Sequence, residues 1–230
     1  MPHKNHKIIH SKFAAQIIFL VHSALTSSAF SMCLSAKASA SGTNRPLMGL
    51  ESLGYEVRWD SWVLTLPPDA AVPPRELPAG LAVRAARPEE YRQCWTVKED
   101  AFLEWSRRER EPYADWYATT VGRPGFEPWN LRVVVDADAA PDAAVLAMAH
   151  VVLAPVPEGL EGYIGALATR ADQRRRGLAQ ALLADSFATA RSHGAVRCAL
   201  DTDSRTGALG LYEKVGMAVT STWRHRGVRL

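Results

Sequence analysis

The stretch "YIGALATRADQRRRGLAQALLADSFATARSHG", residues 163–194, constrains the fold more than any other part of the chain. An apolar run, a short basic loop and a long alanine-rich run follow one another without a break, which reads as a strand–loop–helix unit. In the helical part, Leu178, Ala179, Leu182, Leu183, Ser186, Phe187 and Ala190 recur at helical spacing, and Gly194 closes the run. A stripe that broad has to be buried against another layer. The chain is therefore expected to be α/β or α+β, a mixed sheet flanked by helices.

Other segments fill in the order. "LAVRAA" reads as a strand and "RPEEYRQCWTVKEDAFLEW" as a helix, with Pro88 near its start and acidic residues in its first turn. "PYADWYATTVG" reads as a shorter helix, "LRVVVDA" and "AVLAMAHVVLA" as strands, and "PVPEGLEG" as a loop. After the central unit come "VRCALDT" as a strand, "TGALGLYEKVG" as a helix, and "MAVTSTW" and "GVRL" as two closing strands.

Upstream, "LPPDAAVPPRELPA", residues 66–79, holds five prolines and reads as a linker, so the main domain is expected over 80–230. "ESLGYEV" at 51–57 echoes "EKVGMAV" at 213–219, and Trp62 and Trp223 follow in turn. The echo suggests that 47–65 is a remnant of the end of a first domain of the same kind. Residues 1–46 run from basic to apolar to small residues, as a secretory signal does, but the apolar run is too short to span a bilayer. They read as a disordered or signal-like leader.

Bulk properties remove some functions. A net charge of +3, from 27 basic and 24 acidic residues, is too small an excess to imply nucleic-acid binding. Three widely spaced cysteines, Cys33, Cys94 and Cys198, offer neither a disulfide framework nor metal-ligand spacing. No metal is expected, and a reducing, cytoplasmic setting fits best.

The chemistry concentrates at Arg174, Arg175, Arg176 and Gly177, where the loop meets the helix. A helix N-terminus carries free amides and about half a positive charge, so it attracts anions. Gly177 lets a ligand approach the backbone, and Ala179 leaves room for it. The pattern is neither a Walker A loop nor a dinucleotide-binding fingerprint. Arg174-x-x-Gly177-x-Ala179 resembles the (Arg/Gln)-x-x-Gly-x-(Gly/Ala) signature of the Gcn5-related N-acetyltransferase (GNAT) family. "LDTDSRTGALGLYEKVGM" is similar to that family's fifth strand, fourth helix and closing Gly-hydrophobic turn. The specific motifs lie within 163–217, while the element order matches over about 78–230. The wording of the second motif, the proline-rich linker and the upstream echo are closest to tandem-domain acetyltransferases related to mycothiol synthase.

The resemblance implies acetyl-CoA as co-substrate and a mostly antiparallel sheet of the family type. It implies that Leu167, Ala168 and Thr169 pair with the pantetheine arm. It also implies that the turn Arg174, Arg175, Arg176, Gly177, Leu178, Ala179 and Gln180 holds the diphosphate. Tyr212 matches the family's general acid. Where the family often carries Asn before that tyrosine, Ser204 or Asp203 stands here. Many members place a basic Glu on the fourth strand; the matching position is Tyr163, which leaves Glu161 and His150 as alternative bases. The expected reaction is direct transfer of acetyl to a primary amine, of a small molecule or a peptide, with no nucleic-acid or membrane partner. A homodimer is compatible with this. The competing readings are a non-catalytic acyl-CoA-binding module left by truncation and a nucleic-acid-binding turn.

Overall fold

The computed structural model describes residues 33–38, 52–73, 75–137 and 143–227. Eight strands form one sheet: β1 (Cys33–Ala38), β2 (Glu56–Leu66), β3 (Leu81–Ala85), β4 (Leu131–Asp136), β5 (Ala147–Val156), β6 (Gly159–Thr169), β7 (Ala195–Asp203) and β8 (Ala218–Gly227). Their spatial order is β1-β8-β2-β7-β6-β5-β4-β3. Every neighbouring pair is antiparallel except β6 and β7. That exception follows from the connection: a parallel pair needs a crossover, and helix α3 (Leu178–Ser192) supplies it.

The helical stripe is buried as its spacing demands, with Ala181 taking the place expected for Ala179, which is half-buried. Leu183, Phe187 and Ala190 pack on Val151, Ile164, Cys198 and Leu200. Close approach depends on Gly162, because a Cβ there would stand 2.6 Å from the Ala190 Cβ. Arg132 on β4 clamps Asp185 of the helix through two bonds of 2.6 and 2.9 Å. The opposite face carries α1 (Tyr91–Leu103) and α2 (Tyr113–Thr120), which bury Tyr91, Cys94, Val97 and Trp116 against Val133, Met148, Ala166 and Ala168. A short α4 (Leu209–Lys214) follows β7.

Four sequence expectations change. "PVPEGLEG" is not a loop: both its ends lie in strands, and β5 and β6 pair down to Val156 and Gly159 as a tight hairpin. The strand read in "MAVTSTW" does not stop at Trp223, since Ala218–Gly227 runs unbroken beside β2; residues 228–230 of "GVRL" lie outside the described residues. The leader is not wholly irregular, because Cys33–Ala38 pairs with β8, whose outer backbone edge would otherwise be unpaired. Otherwise the leader lies outside the described residues. The sheet also does not begin at residue 80. β2 lies upstream of the proline-rich segment yet sits between β7 and β8, pairing with both. Its Leu64 and Leu66 are fully buried beneath α3 and α4.

Candidate functional site

β6 and β7 pair from Leu160↔Ala195 to Ile164↔Leu200 and no further. Beyond that point β7 continues alongside β2 and β6 continues alongside β5, so the two strands part. The opening exposes one backbone edge of Gly165–Thr169 in the middle of a sheet. Gly165 is an extra residue there: His150 pairs with Ala166 and Val151 with Ile164, leaving it unpaired as a β-bulge. The three residues expected to contact a pantetheine arm, Leu167, Ala168 and Thr169, form the far wall of this split.

The split leads to the basic turn. Arg175 takes a left-handed conformation (φ 63°), and so does Gly177 (φ 82°), the residue that caps α3. No side chain caps the helix, so its first amides point outward with no protein acceptor at that position. A helix start of this kind, with its amides uncapped, is suited to an anion.

The three arginines of the turn do not act alike. Arg174 is turned back to Glu104 beyond α1, with paired bonds of 2.7 and 2.6 Å, and its Nε reaches the Thr169 carbonyl at 3.3 Å. Arg176 bonds Gln173. Arg175 has no ion-pair partner among the described residues. A fourth arginine joins them: Arg75, from the proline-rich segment, lies across Gly177, where an added Cβ would be 2.6 Å from its Nε. Nothing in the local sequence marks Arg75, since its place depends on how the segment crosses the helix end. A groove of about 270 Å³ beside the turn is lined by Val97, Ala101 and Glu104 on one side and Thr169 and Arg170 on the other.

Tyr212 on α4 is buried, in the cluster on the α3 face. Burial pushes its phenol up to about 12, with the Asp201 charge adding to the shift and a hydrogen bond with the Thr202 side chain opposing it. Ser204 is engaged with β2: its amide donates to the Asp60 carbonyl at 2.8 Å and its hydroxyl accepts from the Asp60 amide at 3.3 Å.

The candidate bases fare differently. Glu161 lies in the paired part of the two strands and is held by Arg197 on β7 at 2.6 Å. His150 sits at the bulge, with a buried Nε2 that has no hydrogen-bond partner. Burial pushes its imidazole down to about 4, and the charges of Arg123 and Lys98 push the same way. The structure also places Asp201 at the point where the strands part, bonded by the Tyr163 hydroxyl. An ionisable residue interrupting the apolar strand "VRCALDT" was the available sequence signal for it. Cys198 is buried, its thiol raised to about 11 by burial, so it is a poor nucleophile.

The segment after α1 is tied down by a buried carboxylate. Glu99, fully buried, accepts two bonds of 2.7 Å from Arg108 and one of 2.8 Å from the Glu111 amide, with Lys98 at 2.9 Å. Burial pushes this carboxyl up, but those partners outweigh it and hold it at about 2. Arg205 lies 4.0 Å from the ring centre of Trp59 and 4.9 Å from that of Trp105. Among the described residues no cluster of His, Cys, Asp and Glu could hold a metal ion, and no helix is long and apolar enough to cross a membrane.

A model of the Acetyltransferase (GNAT) family matches residues 86–217. No curated protein matches significantly. A GCN5-related N-acetyltransferase from Sphaerobacter thermophilus is 25% identical, with a TM-score of 0.70 over 93% of this chain and 64% of that one. One from Kribbella flavida is 22% identical, with a TM-score of 0.54 over 85% and 67%. The NatC complex bound to Gag peptide and CoA contains a chain 17% identical, with a TM-score of 0.50 over 65% and 98%. The last two speak to fold alone. The chain thus spans 64% of the length of the Sphaerobacter protein.

Proposed function

Because the chain belongs to the acetyltransferase (GNAT) family, we propose that it moves an acetyl group from acetyl-CoA to a primary amine, by direct attack through a tetrahedral intermediate. The observation that carries this reading is the split between β6 and β7 opening onto the uncapped, doubly left-handed turn at α3. A long, thin ligand with an anionic middle fits that path: its amide-bearing arm would pair with the free edge of Gly165–Thr169 while its diphosphate meets the amides from Gly177 to Gln180.

In this reading an amide freed at the Gly165 bulge faces the thioester oxygen and stabilises the charge that develops there. Tyr212 serves as general acid to the departing sulfur. Burial keeps its proton in place until the thiolate forms. The same apolar surroundings also make the thiolate more basic, which narrows the gap that the proton must cross. The buried Cys198 leaves direct transfer preferred over a covalent acetyl-enzyme.

Calorimetry with acetyl-CoA on the full chain and on Gly177→Glu tests the reading. Binding to the wild type, lost in the variant, is expected, because the new carboxylate would sit where the diphosphate goes. CoA release over a panel of amines then separates an enzyme from a binding module. Tyr212→Phe is expected to retain acetyl-CoA affinity and lose about 10²-fold or more in kcat.

A further inference from the structure

We infer that Asp201, bonded by Tyr163 at the point where β6 and β7 part, takes the proton from the attacking amine. This rests on the acetyl-transfer reading above and names its missing base.

The placement follows from strand alternation. Ile164 and Leu200 are the last paired residues of β6 and β7, and both pack under α3. Their neighbours Tyr163 and Asp201 therefore project to the opposite face, which α1 and α2 cover over β4, β5 and β6, with no β7 residue in that buried cluster. Asp201 is the first β7 residue beyond the paired region, its side chain is exposed, and its Oδ1 accepts the Tyr163 hydroxyl. Tyr212 approaches the same point from the other face, near enough for the Asp201 charge to raise its phenol. Acid and base thus stand on opposite faces of the sheet, with the split between them. A thioester lying in the split would present its carbonyl carbon to an amine arriving over Asp201 and its sulfur to Tyr212.

Neither alternative base matches this. Glu161 is neutralised by Arg197, back within the paired region. His150 is a weak base. Asp201 is instead raised to about 6, by the protein mass around the split and then by Asp203. The groups facing it are Tyr163 from β6, Tyr212 from α4 and Asp203 from its own strand; its partner on β2, Val63, carries no charge.

The protons balance. The ammonium gives its first proton to the Asp201 carboxylate, which later releases it to solvent. The amine lone pair then forms the C–N bond. As the C–S bond breaks, Tyr212 protonates the sulfur; the nitrogen then loses its second proton to solvent, and the phenolate regains one from solvent. One proton is released per turnover.

Asp201→Asn tests this on the full chain, assayed by CoA release with butylamine, putrescine, tyramine and glucosamine as probes. The expected result is unchanged acetyl-CoA affinity, kcat/KM for the amine down about 10²-fold or more, and loss of the acid limb of the pH profile. In Tyr163→Phe the carboxylate loses a donor, so the acid limb moves to higher pH, a shift that a packing role would not produce. A wild type that turns over beside an Asp201→Asn chain of equal activity and unchanged pH profile overturns the role of Asp201 alone. A wild type that does not bind acetyl-CoA overturns both readings.

Discussion

Gly177 shows how much one position can decide. Its φ of 82° is costly for any residue with a Cβ, by about 1–2 kcal/mol. A Cβ there would also meet Arg75. Gly177→Ala is therefore expected to weaken acetyl-CoA binding several-fold without adding charge, a change calorimetry can read. Arg75→Ala in the same assay would show how much of the attraction comes from the proline-rich segment. Gly177, Tyr212 and the turn could be singled out from the sequence because each sits in a short local pattern. The sequence left the base open because the choice depends on partners far along the chain. Glu161 looks free on paper and is paired with Arg197; Asp201 looks like a strand residue and faces the split.

Among the elements, α3 carries the most. It is the crossover that makes β6 and β7 parallel, the cover for half the core and the source of the uncapped amides at the turn. Gly162→Ala would wedge it off β6, and overpacking of this kind costs about 1–3 kcal/mol, to be read from urea unfolding. On the other face, the segment after α1 is pinned by Glu99. Its carboxyl lies below the ordinary value near 4.3. The stabilisation it gives is therefore full above that pH and lost as pH falls toward about 2. Glu99→Gln should lower stability at neutral pH and flatten the decline between pH 5 and 2, as measured by denaturant titrations. The acidic and aromatic wording of this segment was plain in the sequence. That a buried carboxylate organises it was not, because Glu99, Arg108 and Glu111 are joined only by the fold of the loop.

For the whole molecule, β2 is the decisive strand. It pairs with β7 over Ser61–Leu66 and with β8 over Glu56–Thr65, so removing it separates β8 from the rest of the sheet. A chain beginning at residue 67 is expected to lose cooperative unfolding, as followed by circular dichroism, although it keeps both family motifs. The sequence alone determined the layered class and the strand–turn–helix unit, because periodicity, glycine and charge act within a few residues of one another. Only the tertiary structure decided where β2 inserts, which arginines face the turn and which carboxylate stands at the split. Those outcomes depend on strand order and on ion pairs between residues far apart in the chain, and local pattern carries no information about either.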